Sequence, residues 1–194
     1  KMYREKSRML MDYLRTFTKE IEQVSVDECY VDMTQAMEGF CSPVDAAMLI
    51  KNGVREKFGF TVNVGISSNK LLAKMASDFE KPDKVHTLFP EEIRVKMWPL
   101  PIGELYMAGH SSVETLRKLE IQTIGDLAKA DPKLIELHLK SHGRRLWEFA
   151  NGMDDSIVES EKAEAKGVGN STTLSKDVST KEDAQKVLLS LAQS

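Results

Sequence analysis

Cysteine is nearly absent from these 194 residues: only Cys29 and Cys41 occur, and neither stands in a CxxC or Cys/His ligand spacing. That excludes a disulfide framework and a zinc site. Proline and glycine are sparse, at 6 and 11, which excludes collagen-like, disordered and low-complexity chains. No apolar run approaches the ~20 residues that a membrane helix requires, and residues 1–8 are too polar for a secretory signal. A cytoplasmic protein that does not contact the membrane is expected. Nor does either charge dominate. With 27 basic and 30 acidic residues the net charge is −3, which argues against a chain coated in nucleic acid but allows a local basic face.

What is present is clear periodicity on a chain long enough to bury a real core. Leu10, Tyr13, Leu14, Phe17 and Ile21 share one helical face, predicting a helix over about 3–21. Val24 and Val26, then Cys29, Val31 and Met33, alternate with mostly polar neighbours and read as two strands joined at Asp27-Glu28. Ser42-Pro43 opens a helix that Gly59 stops. Phe60, Val62, Val64 and Ile66 alternate as the clearest strand. Ser67-Ser68-Asn69 then caps a helix over 70–80, ended by Pro82. This order fits a split βαβ (ferredoxin-like) sheet if one more strand precedes the first helix, so the chain is expected to lack that strand. After Phe89 the texture becomes short helical pieces without a strand. Residues 159–166 resemble a linker, 168–174 suggest a strand, and a helix follows Ser179-Thr180. The fold class is therefore α+β, a partial split βαβ followed by a small all-helical region.

Two constellations could carry chemistry. Asp27 and Glu28 are adjacent acids at a hairpin turn with apolar flanks. Such a pair is either a solvated polar turn or a seat for hard divalent cations, which take carboxylate oxygens. Lys70, Lys74 and Lys81 surround the start of a capped helix, where free amides and ammonium groups suit a phosphate, although helix lysines can equally be plain solvated surface. Lys140, Arg144 and Arg145 form a local basic cluster with His142. Trp147 and Phe149 read as core rather than as stacking platforms, and Cys29 as a small apolar strand residue. Asp32 reads as a cap on the turn after its strand rather than as a ligand.

Taken together, Ser25-Val-Asp-Glu-Cys-Tyr-Val-Asp32, then Val64-Gly-Ile-Ser-Ser-Asn-Lys-Leu-Leu-Ala-Lys-Met-Ala-Ser77, then Lys81-Pro82, closely resemble the palm motifs of the Y-family translesion DNA polymerases, nearest the bacterial DNA polymerase IV branch. The resemblance implies a palm over 1–88, a thumb over 89–155, a linker over 156–166 and the start of a little-finger domain over 167–194. It implies template-directed synthesis past lesions from primer–template DNA and dNTP, with two Mg²⁺ ions as cofactor and the sliding clamp as a further candidate partner. Asp27 and Glu28 match the paired metal-binding acids, Lys81 the lysine reaching the incoming triphosphate, and Lys74 a phosphate neighbour. The family's remaining metal-binding aspartate would precede Lys1, so these residues alone are not expected to polymerise.

Residues 105–119 resemble a helix-hairpin-helix that grips DNA phosphates through backbone amides. Gly109 stands at its first glycine and Ser111 where a second is common; Gly109 can alternatively be a helix C-cap. With these, Lys140, Arg144 and Arg145 are the expected DNA contacts. Two other readings remain open. One is a nucleotidyl cyclase on a palm-like sheet, and the other a DNA-binding relative without catalysis.

Overall fold

The computed structural model describes residues 2–161, 167 and 169–193, which divide into two units, 1–160 and 161–194. The expected 156–166 linker and 168–174 strand lie partly outside the described residues; 169–174 are not in a strand. Within the second unit, α8 (Lys181–Gln193) follows Thr180, whose hydroxyl accepts from the Asp183 amide, and Asn170 Nδ2 donates to the Leu191 carbonyl. No helix among the described residues is long and apolar enough to cross a membrane.

The first unit begins with α1 (Met2–Leu14), which buries Leu10, Met11, Tyr13 and Leu14. It ends seven residues before the apolar stripe does. Thr16 Oγ1 donates to the Tyr13 carbonyl and the Glu20 amide bonds Thr18 Oγ1, so the threonines offer the backbone an alternative to further helical turns. β1 (Ile21–Gln23) then pairs antiparallel with β2 (Cys29–Val31), Gln23 opposite Cys29. That register leaves 24–28 in the connection, so Val24 and Val26 are exposed turn residues, not the strand residues their alternation predicts.

α2 (Pro43–Phe58) matches the sequence reading closely. Ser42 Oγ accepts from the Asp45 amide, Pro43 stands in the first turn, and Gly59 closes the helix in the left-handed conformation at φ 72°. β3 (Val64–Ile66) is shorter than expected because its parallel partner β4 (Val85–Thr87) pairs with only those three residues. Phe60 and Val62 alternate because they pack on the core, not because they belong to a ladder. Among the described residues the four strands form two separate two-stranded sheets.

Between the parallel strands lies α3 (Lys70–Asp78), capped by Asn69. Gly65 permits the close crossing, since a Cβ there would overlap the Ala73 carbonyl and the Ser77 amide nitrogen. Two apolar cores result. One joins α1, β1 and α2. The other joins Leu71, Leu72, Met75 and Ala76 of α3 to Leu88 and to apolar residues as far as Ala150. That second core holds α4 (Ile93–Lys96), α5 (His110–Lys118), α6 (Ile124–Lys129) and α7 (Pro132–Ala150), the last broken at Lys140, whose φ is 54°.

Candidate functional site

The turn between β1 and β2 is organised by Ser25. Its hydroxyl donates to Asp27 Oδ1 at 2.7 Å and accepts from the amides of Asp27 and Glu28 at 3.3 and 3.1 Å. A serine two residues before the first acid is the sequence signal for such a turn. Both acids are exposed. Asp32 caps the following turn, its Oδ1 accepting from the Thr34 amide at 2.8 Å.

A line of alternating charge runs from this turn along α3. Lys74 Nζ lies 2.6 Å from Glu28 Oε1 and 3.3 Å from Asp78 Oδ2, and Lys81 Nζ lies 2.7 Å from Asp78 Oδ1. Burial pushes the Lys74 ammonium down, but Glu28 and Asp78 outweigh it and hold its pKa above the ordinary lysine value. Burial likewise pushes Asp78 up, and Lys81 and Lys74 more than reverse it. Lys81 is the solvent-facing end, with a side chain 58% exposed, so its ammonium, paired with Asp78, is open to water on its other sides.

The expected phosphate seat at the start of α3 is not available. The Leu71 amide donates to Asp154 Oδ2 and the Leu72 amide to Asn69 Oδ1, at 3.1 and 2.9 Å. Lys70 Nζ is held by Glu22 Oε2 at 2.7 Å and by the Ile157 carbonyl at 2.9 Å, and it sits over the Tyr30 ring. Burial raises the Glu22 carboxyl, and Lys70 with the Glu159 amide brings it below the ordinary range. Cap and strand acids thus consume the groups that composition alone leaves open to an anion. Glu22 and Asp154 carry no motif that marks them in the sequence, because their partners are remote along the chain, whereas Asp78 pairs with lysines within one helical turn of it.

Two adjacent exposed carboxylates are hard oxygen donors of the kind Mg²⁺ takes, so the donor chemistry fits. Among the described residues, no group of three His, Cys, Asp or Glu is placed to hold a metal ion.

Farther along, Gly109 is the N-cap of α5 (φ −68°, ψ 163°) rather than a helix C-cap, and the segment before it is a 3-10 turn over Ile102–Glu104. A Cβ on Gly109 would meet nothing within 4 Å, so its backbone is open to solvent, and Ser111 is exposed on the first turn. Lys140, Arg144 and Arg145 are exposed on α7. Arg144 binds Glu148 at 3.2 Å and stacks on Trp147, while Arg145 lies over Phe149. Phe149 is buried in the core, whereas Trp147 is half-buried, its Nε1 donating to the Ala130 carbonyl and its ring lying under Arg144.

Comparison with known proteins adds three findings. Residues 1–78 match the model of the impB/mucB/samB family. The chain is 48% identical over 191 residues to DNA polymerase IV of Clostridium acetobutylicum, covering 98% of this chain and 48% of that one. It is 39% identical to DNA polymerase IV 1 of Bacillus subtilis, covering 99% of this chain and 46% of that one. The chain spans about half the length of the curated relatives it matches. Among solved structures, DinB from Sulfolobus solfataricus superposes with a TM-score of 0.73 at 29% identity, covering 82% of this chain and 47% of that one. An insertion ternary complex of Dbh DNA polymerase gives 0.73 at 31%, covering 81% and 46%.

Proposed function

The chain belongs to the impB/mucB/samB family, the Y-family DNA polymerases, and from that premise we propose that the protein carrying these residues performs template-directed DNA synthesis past lesions in the cytoplasm. Its substrates are primer–template DNA and dNTP. The observation that carries the reading is the continuous ion-pair line from Glu28 through Lys74 and Asp78 to Lys81, because it sets an acidic turn and a solvent-exposed ammonium along one short path.

Asp27 and Glu28 would hold two Mg²⁺ ions together with a further carboxylate. Bound there, the ions supply Lewis acidity for attack of the primer 3′-hydroxyl on the α-phosphate and for departure of pyrophosphate. Ser25 fixes the Asp27 carboxylate so that it need not reorganise on binding. Lys81 meets the triphosphate, and Lys74, already between two acids, stands behind it as a phosphate neighbour. The hairpin and the parallel pair are read as parts of one split-βαβ palm. The Gly109–Ser111 backbone at the start of α5 acts as the DNA-facing turn of a helix-hairpin-helix, and Lys140, Arg144 and Arg145 add phosphate contacts that weaken as salt rises.

Primer extension by the whole protein tests this. Asp27→Asn with Glu28→Gln is expected to lower the rate at least about a thousandfold, as loss of a metal site does. Extension at the wild-type rate overturns the metal assignment. Wild-type turnover of nucleotide without template would instead establish a cyclase, and DNA binding without any turnover an inactive relative.

A further inference from the structure

Lys51 is a nearly buried cation that the chemistry above does not use. It lies on the inner face of α2 beside Ala47, Ile50 and Val54, is only 5% exposed, and its Nζ donates to Asp83 Oδ1 at 2.8 Å. Arg55, one turn later on the same face, donates to Asp83 Oδ2 at 2.8 Å. Asp83 itself is held at φ 61°, in the left-handed region that aspartate tolerates better than most residues. The next residue is fixed from the other side, its amide donating to Asn63 Oδ1 at 3.0 Å and its carbonyl accepting from the Val64 amide at 2.9 Å.

These contacts all fall on the loop that joins α3 to β4, and Lys81 lies in the middle of that loop. One end is anchored by α3 itself, where Asp78 holds the Lys81 ammonium, and the other by two cations of α2 and by Asn63. We propose that Lys51 and Asp83 are positioning residues that fix this loop so that Lys81 is presented to the incoming triphosphate. The proposal rests on the reading of Lys81 given above.

Stability alone does not account for the pair. Removing an ammonium from water costs several kcal/mol, and an ion pair of this kind is often matched or exceeded by apolar side chains of similar volume. A methionine at 51 facing an asparagine at 83 would fill the same space without a charge to desolvate. What the ionic pair supplies is direction, because two donors on one helix set both carboxylate oxygens and so the backbone two residues from Lys81. Displacing a substrate-positioning group by about 1 Å can lower turnover efficiency about a hundredfold, so loop placement is worth holding firmly.

The test uses the whole protein and the double variant K51M/D83N, with K81A as the reference background. The KM for the incoming dNTP is expected to rise about tenfold with kcat within about twofold, because binding geometry is lost and the acids are untouched. In the K81A background the same double change is expected to shift KM by less than about twofold, since the group being positioned is gone. A second readout does not depend on turnover. Amide hydrogen exchange at Lys84, whose amide bonds Asn63, should quicken about tenfold in K51M/D83N while exchange in α2 and α3 stays as in wild type. An unchanged KM, an equal rise with and without Lys81, or unchanged exchange at Lys84 would each overturn the proposal. Absence of dNTP incorporation by the wild-type protein would instead overturn the polymerase reading, and exchange would still decide whether the pair holds the loop.

Discussion

Lys74 Nζ and Glu28 Oε1 lie 2.6 Å apart, joining residues 46 positions distant in the chain. The pair ties the acidic hairpin turn to α3 and so fixes where one of the two candidate metal-binding carboxylates points before any metal arrives. Because Asp78 also faces Lys74, the ammonium sits between two acids, and neither is left to repel the other.

This contact should be visible as a coupling energy. In a cycle of K74M, E28Q and the double variant, urea unfolding is expected to give an interaction of about 0.5–1 kcal/mol, small because the Glu28 end is open to water. Additive effects would mean that the pair does not form in solution.

Gly65 should tolerate no side chain. A Cβ there would overlap backbone atoms of α3, which cannot move aside as a flexible side chain could. Gly65→Ala is expected to cost about 3 kcal/mol, read as a lower urea midpoint with an unchanged slope. A neutral result would show that β3 and α3 are not so closely crossed.

Acid should release the clamp on the Lys81 loop. Hydrogen bonding from Lys51 holds the Asp83 carboxyl below the ordinary aspartate range, against the opposing effect of burial and with further help from Arg55. The pKa is depressed on folding, so its contribution is complete above the ordinary value of about 4 and is lost as pH falls through the lower folded value. The stability gap between wild type and D83N is therefore expected to be widest near neutrality and to narrow below about pH 4. A gap that stays constant down to about pH 2 would refute the ionic link.

The two thiols should differ sharply. Burial pushes the Cys29 thiol up to about 11, whereas Cys41 is exposed. At neutral pH a thiol-specific reagent is expected to modify Cys41 quickly and Cys29 only on unfolding. Equal rates would show that the β2 strand opens readily.

By itself the sequence determined the features that neighbours decide. Ser42, Asn69 and Gly59 cap helices where their types indicate, because a cap is a bond to an amide or carbonyl within a few residues. Asp27 and Glu28 fall in a turn, and the family shows in motifs that survive as short words. Contacts between distant segments were decided by the tertiary structure alone. α1 stops at Leu14 although its apolar face continues, since threonine side chains take the next backbone groups. The Leu71 amide is spent on Asp154, and Lys70 on Glu22, because burial in the folded chain requires such groups to find a partner and the one nearest in space is remote in sequence. The same requirement chose Asp83 for Lys51, and no periodicity or spacing on either segment announces it.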